Sequence, residues 1–360
     1  MVYRILSLVA VLSLLIAACS KDSSETPDLM EERITFLENV DTYGGKVAHA
    51  NLVSAAADLT ENVNALADNV TAQTLDAAKN AWRNTVQVFK QAELYEVGDV
   101  SLSFIHFTMY FRPIEPEDLE SELTGTTPVT ADYLQGLGRD VAGLGAIEYI
   151  LYNEDGLSTL STLENEPRRL DYLKEAAAFF EQNTQELEGI WNTYSPNFIV
   201  ATESRTTGGQ NQMLNALVTF LEETSNLQLG KALGEDNGGT IDQTFLEAHL
   251  SDASLDMIRA GFTEWKLVFS GAYPGSSDNY GFDDYLNAID NETLVSSINN
   301  AISACDSELA SFSSLNDALA SNADQVESLQ TAFLALNTLI RTDVASVIGA
   351  TITVNITDGD

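Results

Sequence analysis

The sequence predicts an all-α protein of two tandem helical bundles, with about four helices in each. Three observations carry this prediction. Apolar residues recur in alternating steps of three and four, the spacing of a core-facing helix stripe. Such stripes form eight runs, and the stretch 194–210, with Pro196, Gly208 and Gly209, parts them four from four. Strand-like alternation is confined to residues 351–356, close to the C-terminus. At 360 residues the chain is long enough for about two domains.

The elements follow in order. Residues 1–19 read as an export signal: Arg4 opens it, 5–16 is an apolar run, and Ala17 and Ala18 are the small residues before a cleavage point. "LIAAC", ending at Cys19, resembles the lipobox of bacterial lipoproteins, which implies acylation of Cys19 and attachment to a membrane. Residues 20–30 begin "SKDSSETPD" and read as a polar tether. The N-terminal bundle, 31–195, carries stripes over 52–66, 75–89, 134–151 and 170–191. The C-terminal bundle, 205–360, carries them over 214–221, 255–269, 294–312 and 326–347. Cys305 falls on one of these apolar faces and reads as a small buried hydrophobe outside any disulfide. Long polar connections are expected at 112–129, 234–240 and 271–281.

Charge narrows the function. Lys and Arg number 17 against 54 Asp and Glu, a net charge of -37. Such a surface repels phosphate backbones, which argues against nucleic acid as a partner, and it attracts cations. The sequence has no Gly-rich phosphate loop, no nucleophile elbow and no Cys-x-x-Cys.

The stripe 134, 137, 141, 144, 148, 151 is read as one helix, and it places Glu148 where an apolar residue belongs. A carboxylate on a core face is costly unless it is paired, hydrogen-bonded or protonated. The same stretch holds Gly136, Gly138, Gly143 and Gly145, and each glycine costs ~1 kcal/mol against alanine inside a helix. Something therefore approaches this backbone closely, either a neighbouring helix or a ligand. Glu148 is open to two readings, a structural ion pair and the polar anchor of a ligand site. Glu93, at the end of the Trp82 helix, and Asp343, ahead of the C-terminal tail, are further acidic candidates. His106, in "SFIHFTMYFRP", is the candidate imidazole.

"GLGAIEYILYN", 143–153, resembles the G-x-H-x-x-E signature of the imelysin family, also called the M75 peptidase or iron-regulated protein A family. Gly143 and Glu148 match its first and last positions, and Gly145 stands where the family has histidine. "AWRNTVQVFKQAELYEVG", 81–98, resembles the family's Trp-containing helix, and "RRLDYLKEAAAFFEQNTQELEGIW", 168–191, the helix after the motif. "LQLGKALG", 227–234, and "TDVASVIGATITVNITDGD", 342–360, resemble its second half and the ending of its Bacteroidetes members.

The resemblance implies a lipid-anchored protein of the cell envelope, at the outer membrane, with a binding role in iron or haem acquisition. It places the ligand site between the bundles, with Gly143, Gly145 and Glu148 on the motif helix; Glu93, His106 and Asp343 are candidates added from the residues themselves, expected to converge there on folding. Glu148 and Glu93 are the first candidates for touching a metal. The alternatives are a metallopeptidase, as the family's other name implies, and a module that docks an envelope protein without any small ligand. The peptidase reading is disfavoured because the motif lacks its histidine, so the expectation is a protein that is not an enzyme.

Overall fold

Each apolar stripe folds into helix and buries its striped face. The computed structural model describes residues 29–111, 114–153, 156–277 and 280–353. Eight principal helices follow the eight runs. They are α1 (Lys46–Asp68), α2 (Ala72–Ala92), α3 (Gly143–Tyr152), α4 (Pro167–Phe198), α5 (Gly209–Glu222), α6 (Ser254–Ser270), α7 (Glu292–Ala310) and α8 (Ala323–Thr338). Shorter helices fill the connections, and no strand occurs among the described residues. The export signal with Cys19, the tether up to residue 28 and the tail from 354 lie outside the described residues.

Local chemistry explains where the helices start. Thr71 caps α2 by accepting from the Thr74 backbone N–H at 3.3 Å, while the Thr74 hydroxyl accepts from the Thr71 N–H at 3.1 Å. Two donors that a helix start leaves orphaned are thereby satisfied. Three π-helical segments interrupt the regular winding: Val40–Gly45 before α1, Glu223–Gly230 after α5, and Leu339–Val344 after α8. Each shifts the face that the following turn presents.

Residues Glu32–Asp360 form one compact unit. Within it α2 and α4 each pack along α1, and α3 packs on α2 and α4. Helices α5, α7 and α8 group in the same manner, and α6 packs directly on α2. The α2–α6 contact therefore joins the two halves of the sequence. Trp82 on α2 donates its indole N–H to the Leu144 carbonyl at 2.9 Å, and Trp265 on α6 donates to the Leu217 carbonyl at 3.0 Å. Both indoles are fully buried, with the polar edge satisfied.

Two expectations need correction. The stripe 134–151 is not one helix. It breaks into Ala131–Gln135, a 3-10 turn at Arg139–Val141, and α3. The glycines cause the break. Gly136 and Gly138 fall in the interruption, and Gly143 starts α3 with φ +67, a left-handed conformation that side chains resist. Only Gly145 sits inside the helix. The connection 112–129 is likewise not all loop, because Pro116–Thr124 is helical. Proline in the first turn and two acidic residues beside it suit a helix N-terminus. Cys305 is buried and free, and burial pushes its thiol up to about 12.

Candidate functional site

Helix α2 directs two basic side chains, Arg83 and Lys90, at one segment of the opposite half, Glu247 to Ser251. Two turns separate them, about 10 Å along the axis. This sets out a polar seam with two ends.

At the first end, the Arg83 guanidinium donates to the Ser251 carbonyl. The Ser251 backbone N–H donates to Glu148 Oε1 at 2.9 Å. Tyr152, one turn beyond Glu148, stacks beneath Arg83 with 5.6 Å from guanidinium carbon to ring centre, and beneath the Lys79 ammonium at 4.8 Å. Burial pushes the Tyr152 phenol up to about 12, so it stays a neutral donor and bonds the Lys79 carbonyl at 2.7 Å. Glu148 is thus a clasp between α3 and the Ser251 turn.

At the second end lies Lys90, whose side chain is only 1% exposed. Its ammonium contacts the carboxylates of Glu93, of Glu247 at 3.3 Å and of Glu223 at 3.9 Å. Gln228 donates to Glu247 Oε2 at 2.8 Å, and the Tyr110 hydroxyl donates to the Glu247 carbonyl at 2.8 Å. Glu223 and Gln228 both come from the π-helical segment after α5. A buried cation needs such partners, because desolvating it alone costs several kcal/mol.

Glu93 opens a 3-10 turn, Glu93–Tyr95, and two short helices follow, Asp99–Ser103 and Ile105–Met109. Phe104 between them takes φ 55, a strained conformation for an aromatic residue, and this turns the chain back. His106 thereby faces Glu96, with Nδ1 3.1 Å from Oε2, off the line of a hydrogen bond. Burial lowers the His106 imidazole to about 4, against the pull of Glu93 and together with the push of Arg139. It is neutral at neutral pH. The Arg139 guanidinium lies over the rings of Phe111 at 4.2 Å and Phe107 at 5.1 Å.

The structure therefore brings Glu93 and His106 together and leaves Glu148 at the other end of the seam. Asp343 is exposed on the π-helical segment Leu339–Val344. A Cβ on Gly143 would meet the Met109 carbonyl oxygen at 2.1 Å. A Cβ on Gly145 would meet Ile114 Cγ2 at 2.6 Å. The close approach inferred from the glycines is thus made by the chain itself, through Met109 and Ile114.

Sequence reasoning missed Arg83, Lys90, Glu223, Gln228 and Glu247. Lys90 did carry a signal, since it follows Val86 by one turn on the apolar stripe. The π-helical register shift hid Glu223 and Gln228. Among the described residues, no group of three or more His, Cys, Asp and Glu side chains is disposed to hold a metal ion.

An all-α pair of helical groups with a buried polar seam at their joint defines the chain as a helical-bundle protein. Comparison then places the chain. The family model for peptidase M75, described as imelysin, matches residues 46–342, and the chain belongs to that family. An imelysin-like protein from Psychrobacter arcticum 273-4 has a similar structure, with TM-score 0.71 and 17% identity over 90% of this chain and 98% of its own. A protein from Parabacteroides distasonis ATCC 8503, named as an iron-regulated protein A precursor, has TM-score 0.71 and 15% identity over 90% of this chain and 97% of its own. No curated protein matches by sequence.

Proposed function

We propose that the protein is a lipoprotein of the cell envelope, anchored at the outer membrane through Cys19, that serves iron acquisition by binding haem rather than by cutting peptide bonds. The name of the Parabacteroides relative motivates the link to iron. The observation that carries the reading is the Glu96–His106 pair. The Glu96 carboxylate stands on the Nδ1 side of the ring without a hydrogen bond to it, which leaves Nε2 as the nitrogen for a metal. The ring is neutral at neutral pH, as a ligand must be. Phe104 is 61% exposed and stacks on Phe107 with ring centres 6.3 Å apart, a flat apolar surface beside that imidazole. Arg139 supplies a cation for carboxylates of the cargo.

The motif helix does not fit a metal. Gly145 offers no imidazole, Ile114 packs against it, and Glu148 is engaged by the Ser251 N–H. A bare ion needs several protein ligands, whereas haem iron already sits in its porphyrin and needs only an axial one. That favours haem over free iron at His106. No hydrolytic step is assigned, because the position that would complete the motif is glycine.

Absorbance titration of the full chain with haem tests this. Stoichiometric binding is expected, and His106→Ala should weaken it about tenfold or more and move the Soret band. An unchanged titration in His106→Ala overturns the site. The runner-up is an envelope protein partner, favoured by exposed Leu102 beside Phe104, and a chain that binds no haem points there. Incorporation of labelled palmitate, abolished by Cys19→Ser, tests the anchor.

A further inference from the structure

A line of oxidisable rings crosses the core. Tyr194 and Trp191, one turn apart on α4, have ring centres 6.3 Å apart. Trp191 meets Tyr95 edge-on, with centres at 5.9 Å. The Tyr95 hydroxyl lies 3.3 Å from that of Tyr273, in the connection after α6. Tyr95 and Trp191 are fully buried, Tyr273 is 2% exposed, and Tyr194, at 8%, is the most exposed of the set.

Packing alone does not explain the choice of rings, since phenylalanine would fill the same space without a polar edge to satisfy. Here each inner ring gives its proton-bearing atom to a buried carboxylate. The Trp191 indole N–H donates to Asp41 Oδ1 at 3.1 Å, and the Tyr95 hydroxyl donates to Glu264 Oε1. Both carboxylates belong to buried residues. Gly44 and Gly45, on the π-helical segment before α1, lay bare backbone against these rings. A Cβ at Gly44 would collide with Tyr95, and one at Gly45 with Trp191.

Such pairing is what one-electron oxidation of a buried ring requires. Indole and phenol are among the side chains that lose an electron most readily. An oxidised indole is a cation, and a carboxylate beside it in a low dielectric stabilises that charge. An oxidised phenol sheds its proton, and burial leaves no water to take it. Glu264 is placed to take it, along a hydrogen bond that already exists. Burial pushes the Glu264 carboxyl up, which makes it a better proton acceptor.

We propose that Trp191 and Tyr95, with Tyr194 as the outer ring, form a relay that carries oxidising equivalents from the surface to a shielded radical on Tyr95. The co-reactant is a one-electron radical oxidant, the class that iron and peroxide generate together. At the surface over Tyr194 it draws one electron from Trp191 through the ring contact and is reduced to its anion. Tyr95 returns one electron to Trp191, its O–H bond breaks, and the proton passes to Glu264. A neutral phenoxyl then stands on Tyr95 beside a neutral Glu264 carboxyl, with the Tyr273 hydroxyl placed to donate to the radical. The relay takes from the iron reading only the source of the oxidant, and it shares no residue with the site at His106.

The test illuminates full-length protein with a ruthenium tris-bipyridine sensitiser and persulfate, a one-electron oxidant too large to enter the core. Electron paramagnetic resonance on samples frozen after illumination should show a persistent tyrosyl radical. Tyr95→Phe should abolish it, and Trp191→Phe should remove most of it. No persistent radical in the wild type, or a signal of wild-type size in either variant, overturns the proposal. If these variants do not fold, Glu264→Gln decides, because it keeps an oxygen facing Tyr95 and removes the proton acceptor. It should lose the persistent radical, and an unchanged signal overturns the proposal. The absorbance titration with haem reads the His106 site separately, so the two readings fail independently.

Discussion

Two glutamates on principal helices are buried, and each reaches from its own half of the sequence into the other. Glu148 on α3 is 4% exposed and accepts the Ser251 backbone N–H at 2.9 Å. Glu264 on α6 is 7% exposed and accepts the Tyr95 hydroxyl. The same residue type, equally buried, meets two kinds of donor. A backbone N–H cannot turn elsewhere, so losing Glu148 strands it. A phenol rotates, and Tyr95 already has the Tyr273 hydroxyl at 3.3 Å. Burial pushes the Glu264 carboxyl up, with the Tyr95 bond pulling it partly back. Burial alone therefore does not tell whether a core carboxylate is a clasp or a tolerated guest. The identity of its donor does.

The largest way to break this comparison is to dislodge α3 itself. Gly143→Ala adds a Cβ 2.1 Å from the Met109 carbonyl oxygen, at φ +67. Strain and backbone collision together should cost about 4 kcal/mol, enough to threaten folding. Chemical denaturation measures it, and a loss under about 1 kcal/mol would mean that the helix start is not fixed there.

Acid should act next, on the Glu264 side. His49 flanks Tyr95 and donates Nδ1–H to the Gly45 carbonyl at 2.6 Å. Burial lowers its imidazole from 6.5 to about 4. The unfolded chain binds this proton and the folded one does not. Stability from His49 is therefore complete above 6.5 and falls as pH drops from 6.5 toward 4, by ~3 kcal/mol. His106 adds a loss of the same sign. Denaturation midpoints from pH 7.5 to 4.5 should show the slope, and His49→Phe should flatten it. An equal slope in His49→Phe would place the acid sensitivity elsewhere.

Glu148→Ala leaves the buried Ser251 N–H without its acceptor and should cost about 2 kcal/mol. Glu148→Gln keeps an acceptor and should lose clearly less. If both lose the same, the charge and not the Ser251 bond holds the clasp. Gly145→His tests the neighbouring position. Its Cβ meets Ile114 Cγ2 at 2.6 Å, so a loss of about 1.5 kcal/mol is expected, with partial recovery on adding Ile114→Ala. No recovery would show that Ile114 is not what fills the place of the motif histidine.

Sequence periodicity located the eight helices because burial imposes steps of three and four on whatever lines a core. It failed where the backbone departs from that period. The left-handed Gly143 split the third stripe, and the π-helical segment after α5 hid Glu223 and Gln228 from any helical face. Glu148 was conspicuous because one carboxylate interrupted an apolar seam. Its partner, a backbone N–H at Ser251, has no side-chain signature at all. Glu264 was missed for the converse reason. It sits between Phe262 and Trp265 in a stripe that already looks complete, and Tyr95 reads as one more aromatic. Lys90 shows the same limit, since its carboxylates arrive from three separate segments and only the folded chain assembles them.

The smallest predicted effect is also the one that separates the two glutamates by sign. A carboxyl raised on folding contributes fully below its unfolded value of 4.5, and that contribution is lost as pH rises through the folded value. Wild-type protein therefore carries a penalty at neutral pH that an uncharged side chain avoids. Glu264→Gln keeps an oxygen for the Tyr95 hydroxyl and cannot ionise. It should match the wild type near pH 4.5 and gain on it as pH rises, by no more than about 1 kcal/mol at pH 8. Guanidinium denaturation at the two pH values reads this directly. A loss at pH 8, like that expected of Glu148→Ala, would show that Tyr95 needs the charged acceptor, and the two carboxylates would then be clasps of one kind.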